Sequence, residues 1–301
     1  MFRIKPRQGA CTEIIPDKWL GNRDQGVICI IQGVILLMKI LRFSTWKEFR
    51  DFIDSDQQVL PVYWRGQRDP TWPLTSPFER IILAMAGGSK NGASQIYPYD
   101  GRYKRGGKKI WQDGFYQSMR DRYLEAFQRS SSGLRGPNPK SLSTEEWWAL
   151  GRHYGLITPL LDWTEKPYIA AFFALIDLFS QMRSQGGTIV FTGKAVAIYR
   201  LFHNQQLEGD GLRVIRPMVD ELGRLQSQRG LFTWLDSEEY FELHGFLDNT
   251  GRGDLLTQII LSDQAILDGL RDLDAHGIDY RFLFPDLTGA ALAANTKWDI
   301  I

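Results

Sequence analysis

The chain has 301 residues, 43% of them hydrophobic and 24% charged, with a formal net charge of +1. That is enough chain to bury a sizeable core, as one large domain or two small ones, and so even a charge balance calls for no nucleic-acid or membrane partner. The two cysteines, Cys11 and Cys29, make no disulfide framework and suit a reducing, cytoplasmic setting; the four histidines, His153, His203, His244 and His276, hold no pair at helical ligand spacing, so no metal is expected.

Residues 1–42 read as an N-terminal extension of weak periodicity. The apolar stretch Val27–Met38 is interrupted by Gln32 and Gly33. It falls short of the ~20 residues of a membrane helix and lacks the cleavage site of a signal peptide. A buried strand or helix is one reading. A translation start set too far upstream is another, because Met38 opens the part that reads as a domain.

From Phe43 the signals sharpen, and residues 43–301 read as one domain. Thr45 and Glu48 form a capping-box pattern, in which each side chain satisfies an orphan backbone N–H at a helix start. Trp46, Phe49 and Ile53 follow at helical spacing. After the polar turn Asp54–Gln58, Val59–Trp64 is a strand candidate. Gly87–Gly107 is rich in Gly, Ser and Asn and precedes Lys108 and Lys109; it reads as a solvated basic loop or as a contact for phosphates. Trp111, Phe115, Met119 and Phe127 keep one face of a helix. Ser130–Lys140 is a loop, and Ser143 with Glu146 forms a second capping box. Pro167 suits the first turn of a helix that runs through Ile169–Phe179. Thr188–Thr192, Ala195–Leu201, Leu231–Leu235 and Leu256–Leu261 read as strands. A late helix starts at Ser262 and ends near Gly277. The outcome is an α+β fold: helices mostly in the N-terminal half, and a mixed, largely antiparallel sheet in the C-terminal half.

Two segments carry unusual polar groups. In Tyr63-Trp64-Arg65-Gly66-Gln67 a guanidinium ends an apolar strand and needs a partner, either a phosphate or carboxylate or a set of neighbouring carbonyls to brace. Gly66 lets another backbone or a ligand come close. In His153-Tyr154-Gly155-Leu156-Ile157-Thr158-Pro159-Leu160-Leu161-Asp162-Trp163-Thr164, polar groups stand at both ends of a short apolar connector. Asp162 or Thr164 can cap the Pro167 helix, and His153 is either a satisfied core histidine or a donor to a ligand.

These segments resemble the FRG domain family, named for an aromatic-Arg-Gly motif. Trp64-Arg65-Gly66-Gln67 is similar to that motif, with Trp72, Leu74 and Arg80 downstream, and His153–Thr164 is similar to the family's His-Tyr-Gly-Leu block. Arg224–Thr233, with Gln228, Gly230 and Phe232, and Gly277–Leu287, ending Phe284-Pro285-Asp286-Leu287, fit as well. The likeness spans about residues 43–290. A weaker resemblance is to ADP-ribosyltransferases. Arg65-Gly66 is similar to their NAD-gripping strand, and Asp162-Trp163-Thr164 with Pro167 to their second strand and its helix. Gln226-Ser227-Gln228 stands where a catalytic Glu is found.

What that resemblance implies is NAD as co-substrate, bound by Arg65, Gly66, Gln67, His153 and Tyr154. Catalytic roles would fall to His153, Asp162, Thr164 and Gln228, on a nucleic-acid or protein target, as in a toxin or antiphage effector. Gln228 brings no negative charge, so the carboxylate would come from Asp162, Glu238 or Glu239. The alternatives are a non-catalytic module for a nucleotide or nucleic acid, and a metal-independent nuclease or hydrolase toxin with His153 and Asp162 as acid and base. The chain has no Gly-x-Gly-x-x-Gly, no P-loop and no Gly-x-Ser-x-Gly elbow, which disfavours dehydrogenase, nucleotidase and esterase readings.

Overall fold

The computed structural model describes residues 29–31, 34–36, 38–56, 61–87, 104–105, 108–109, 115–182, 191, 193–218, 223–237 and 240–300. Most of the basic loop, Trp111, most of the Thr188–Thr192 strand, Glu238 and Glu239 lie outside the described residues. In chain order the elements begin with β1 (Cys29–Ile31) and β2 (Val34–Leu36), which pair with each other, then β3 (Lys39–Phe43), α1 (Trp46–Ser55), β4 (Val62–Gln67) and α2 (Pro77–Gly87). The short pair β5 (Lys104–Arg105) and β6 (Lys108–Lys109) precedes α3 (Phe115–Ser130), α4 (Thr144–His153), β7 (Leu160–Thr164) and α5 (Pro167–Met182). Next come β8 (Ala195–Phe202), α6 (Gln205–Gly209), β9 (Leu212–Ile215), α7 (Arg224–Gln228) and β10 (Gly230–Leu235). The chain ends with α8 (Leu243–Asn249), β11 (Leu256–Ser262), α9 (Ile266–Ala275), α10 (Tyr280–Leu283) and α11 (Leu287–Ile300).

A 7-stranded sheet in the order β3-β11-β8-β4-β7-β10-β9 organises the fold. β3 and β11 run parallel, and the other neighbours are antiparallel, so the α+β expectation of a mixed, largely antiparallel sheet holds. α5 is apolar on nearly all sides because it is buried on nearly all sides. It packs on one face of the sheet with Trp46 and Phe49 of α1 and Ile266, Leu270 and Leu273 of α9. Tyr63, Trp163, Tyr199 and Leu201 pack with Leu243, Phe246 and Leu247 of α8 in a second cluster. Tight contact between sheet and helix needs small residues. A Cβ added at Gly66 would press into the Ala170 carbonyl oxygen and lie 2.8 Å from the Ala174 nitrogen.

Both capping boxes form. Thr45 and Ser143 each accept from the backbone N–H three residues on, and Glu48 and Glu146 reach back to the cap residue's N–H. Three strands differ from the sequence expectation. β7 occupies the end of the stretch read as a connector, because Leu160, Leu161 and Trp163 are buried on both sides of the strand and leave no alternation to read. β3 lies largely within the extension, and β9 is only four residues long. Among the described residues no helix is long and apolar enough to cross a membrane.

Candidate functional site

The site forms where the central sheet loses a ladder. β4 pairs with β8 along its whole length, Val62 to Gln67, and β7 pairs with β10 from Leu160 to Thr164. Between β4 and β7 only Trp64 and Thr164 pair. Backbone groups beyond that single rung need other partners, and Arg65 supplies one: its Nη1 donates to the Asp162 carbonyl oxygen at 2.8 Å. The same nitrogen lies 3.6 Å from the Asp162 carboxylate. Arg65 therefore both braces a neighbouring carbonyl and holds a carboxylate.

Asp162 is shared. Arg152, in the last turn of α4, grips it with a fork, Nε to Oδ1 at 3.1 Å and Nη2 to Oδ2 at 2.7 Å. Burial alone would raise the Asp162 pKa, but the charge and hydrogen bonds of Arg152, and then the charge of Arg65, outweigh it and hold the carboxyl below the ordinary range. Burial lowers the Arg65 pKa, and Asp162 opposes that shift. Asp162 thus forms ion pairs rather than a helix cap.

Neighbouring residues fix this pair in place. Gln67 is buried; its Oε1 accepts from Arg65 Nε at 3.3 Å, and its Nε2 donates to the Trp72 carbonyl at 2.9 Å. Thr164 donates to the Gln228 carbonyl at 2.6 Å and accepts from Lys166 N at 3.1 Å, so it also trims the start of α5. Gln228 in turn donates through Nε2 to the Leu283 carbonyl at 3.0 Å. The next residue, Arg229, has φ 47°, the left-handed region that costs a side-chain-bearing residue energy. Its carbonyl accepts from Glu165 N at 3.1 Å. Arg224 pairs with Asp286 at 2.6 Å and lies 5.1 Å over the Phe284 ring.

Arg65, His153, Asp162, Thr164 and Gln228 all line one cavity of about 530 Å³. Gly66 lines it too, although its small size serves the contact with α5. Gln67 does not line it and acts by bracing Arg65. Tyr154 is 58% exposed at the end of α4 and does not line it either. The His153 ring sits edge-on to Phe232, 6.2 Å between centroids. Charged and polar lining comes from β4, β7 and α4, with Asp177 and Ser180 of α5 and Arg224 and Gln228 of α7; aromatic lining includes Phe173 of α5, Phe232 of β10, Tyr280 of α10 and Phe284.

Arg152, Phe173 and Tyr280 were not singled out from the sequence. Arg152 had a signal: it precedes His153 in the last turn of a capped helix, ten residues before a strand carboxylate that needs compensation. Among the described residues no group of three or more His, Cys, Asp or Glu side chains could hold a metal ion.

Comparisons with known proteins add one finding. No curated protein and no solved structure matches significantly. The family model of the FRG domain matches residues 61–182, from the strand of Arg65 through α4 and Asp162 to the end of α5, and over those residues the chain carries an FRG domain.

Proposed function

We propose that the cavity binds NAD and that the protein transfers ADP-ribose to a macromolecule. The observation that carries this reading is the convergence of residues from seven separate elements on one cavity of ligand size, with a fixed carboxylate beside an aromatic wall. Breaking the bond between nicotinamide and ribose sends the bonding pair out with nicotinamide and leaves positive charge on the ribose. A preorganised anion then lowers the barrier. Asp162 suits that role, because its two guanidinium partners keep it ionised. The role does not fall to Gln228, whose amide nitrogen and backbone carbonyl tie α7 to α10 and β7. Arg65 would take a phosphate and His153 a ribose hydroxyl. A hydroxyl or amine of the target would form the new bond to the ribose and shed its proton.

The test is incubation with NAD labelled in its adenylate half, together with cell extract. Nicotinamide release and label transfer are expected, and both should be lost in His153→Ala and Asp162→Asn. Folded protein that releases no nicotinamide and transfers no label would end the reading. A module that binds the nucleotide without turnover is the second reading, favoured by the neutral Gln228. It predicts binding that weakens steeply with salt and no nicotinamide release. Acid–base hydrolysis by His153 and Asp162 fits less well, since a carboxyl held below its ordinary range is a poor proton donor near neutral pH.

A further inference from the structure

We infer that Asp162 is an internal counter-ion seated on a phosphate site, so that a phosphate-bearing ligand competes with it for Arg65 while Arg152 keeps hold of the carboxylate. This rests on the phosphate-binding part of the proposed reading and not on NAD cleavage. Three observations carry it. The two arginines hold Asp162 unequally: Arg152 makes a two-point fork, whereas Arg65 has one contact at 3.6 Å, outside hydrogen-bond length. Among the described residues nothing takes the second terminal nitrogen of Arg65, whose other donors go to Gln67 and the Asp162 carbonyl. And the side chains are 15% exposed for Arg65 against 43% for Asp162, so a deeply placed cation is covered by a carboxylate that faces the cavity.

The chemistry follows from charge. Two guanidinium groups and one carboxylate leave a net +1 at the base of the cavity. A phosphate offers a guanidinium fork more acceptors than a shared carboxylate does. Its entry brings a second anion close to Asp162, and that repulsion weakens binding in the native chain. The Arg152 fork then keeps Asp162 in place rather than letting it swing away. Asp162 consequently opposes binding and, on the proposed reading, assists the later chemistry. Its removal should move the two properties in opposite directions.

Calorimetry and thermal unfolding with inorganic pyrophosphate test this without NAD. Asp162→Asn should unfold at lower temperature than the native chain, because Arg65 loses its counter-ion. Pyrophosphate should bind the variant about tenfold more tightly than it binds the native chain and restore much of the lost melting temperature. Adding Arg65→Gln should abolish the gain. Asp177→Asn, which removes a carboxylate that also lines the cavity but pairs with Arg68, should not produce it. Equal affinity in native protein and Asp162→Asn, or a gain that survives Arg65→Gln, overturns the inference. Where Asp162→Asn fails to fold, the charge-neutral pair Arg152→Gln with Asp162→Asn leaves Arg65 alone at the site and must show the same gain. Tighter pyrophosphate binding without nicotinamide release by the native protein would keep this inference and remove NAD transfer. Nicotinamide release without the gain would do the reverse.

Discussion

Two arginines on neighbouring strands meet the same problem differently. Arg200 of β8 stands opposite Trp64 of β4 in the ladder, one position from Arg65. Arg200 donates to Asp56 at 2.6 Å, with side chains 9% and 15% exposed, and its guanidinium lies 4.5 Å over Phe202 and 5.4 Å over Phe52. It is closed off by its own carboxylate and by rings. Arg65 shares a half-exposed carboxylate with a second arginine and faces a cavity. The contrast makes Arg65, with its divided and accessible counter-ion, the candidate for a ligand contact, whereas Arg200, sealed with one partner, is part of the core.

The largest expected effect breaks the sealed member. Asp56→Asn leaves Arg200 buried without its anion, and removing one partner of such a pair costs about 3–5 kcal/mol. Urea unfolding should show that loss, and pyrophosphate should not reverse it. Gly66→Ala should cost about 3 kcal/mol or somewhat more, since the added methyl meets the backbone of α5, which cannot turn aside. It should also weaken pyrophosphate binding, because it shifts the strand that carries Arg65. Either result absent would mean that the strand and helix can separate without disturbing the site.

A deeply buried carboxylate elsewhere sharpens the contrast, because among the described residues no arginine is bonded to it. Glu79 of α2 accepts from Tyr116 of α3, and among the described residues its buried Oε2 has no hydrogen-bond partner. Burial raises its pKa to about 7, against the opposing effects of the Tyr116 hydrogen bond and the Arg120 charge. The folded chain therefore binds this proton more tightly than the unfolded chain does. The associated stability is fully present below the unfolded pKa of 4.5 and is lost as pH rises through about 7. The loss over that range is on the order of 3 kcal/mol by the conversion of about 1.4 kcal/mol per pKa unit. Denaturation midpoints of native protein and Glu79→Gln, compared from pH 4.5 to 8, should converge at the acid end only if this group carries the trend. The smallest effect lies at the turn after Gln228. Arg229→Gly should raise stability by about 1 kcal/mol by relieving the left-handed backbone, a gain visible in the melting temperature.

The sequence revealed some of this and hid the rest for physical reasons. Thr45 with Glu48 and Ser143 with Glu146 were legible because a cap is a local device, made by residues three apart. Pro167 and the apolar run behind it announced α5 in the same way. β7 was legible as a strand only through the resemblance of Asp162-Trp163-Thr164 to a known strand and not from its own pattern, since burial on both faces removes the period-two signal. The positions of Arg65 and Asp162 were visible, but their partnership spans 97 residues and depends on a missing ladder that no local pattern encodes. Gln67 illustrates the limit: adjacent to the motif, it was read as a ligand contact, and its amide instead spans Arg65 and the Trp72 carbonyl.

The single Trp64–Thr164 rung also divides the sheet into two leaves, β3-β11-β8-β4 and β7-β10-β9. Each leaf has continuous ladders inside and a single rung across the seam, so we expect their amides to form separate hydrogen-exchange units. On the proposed reading, a ligand gripped by Arg65 on one leaf and seated beside Asp162 on the other would act as a missing cross-strand rung. Occupancy would then appear as a merging of two exchange populations into one, a mechanical readout of binding that needs no knowledge of the reaction.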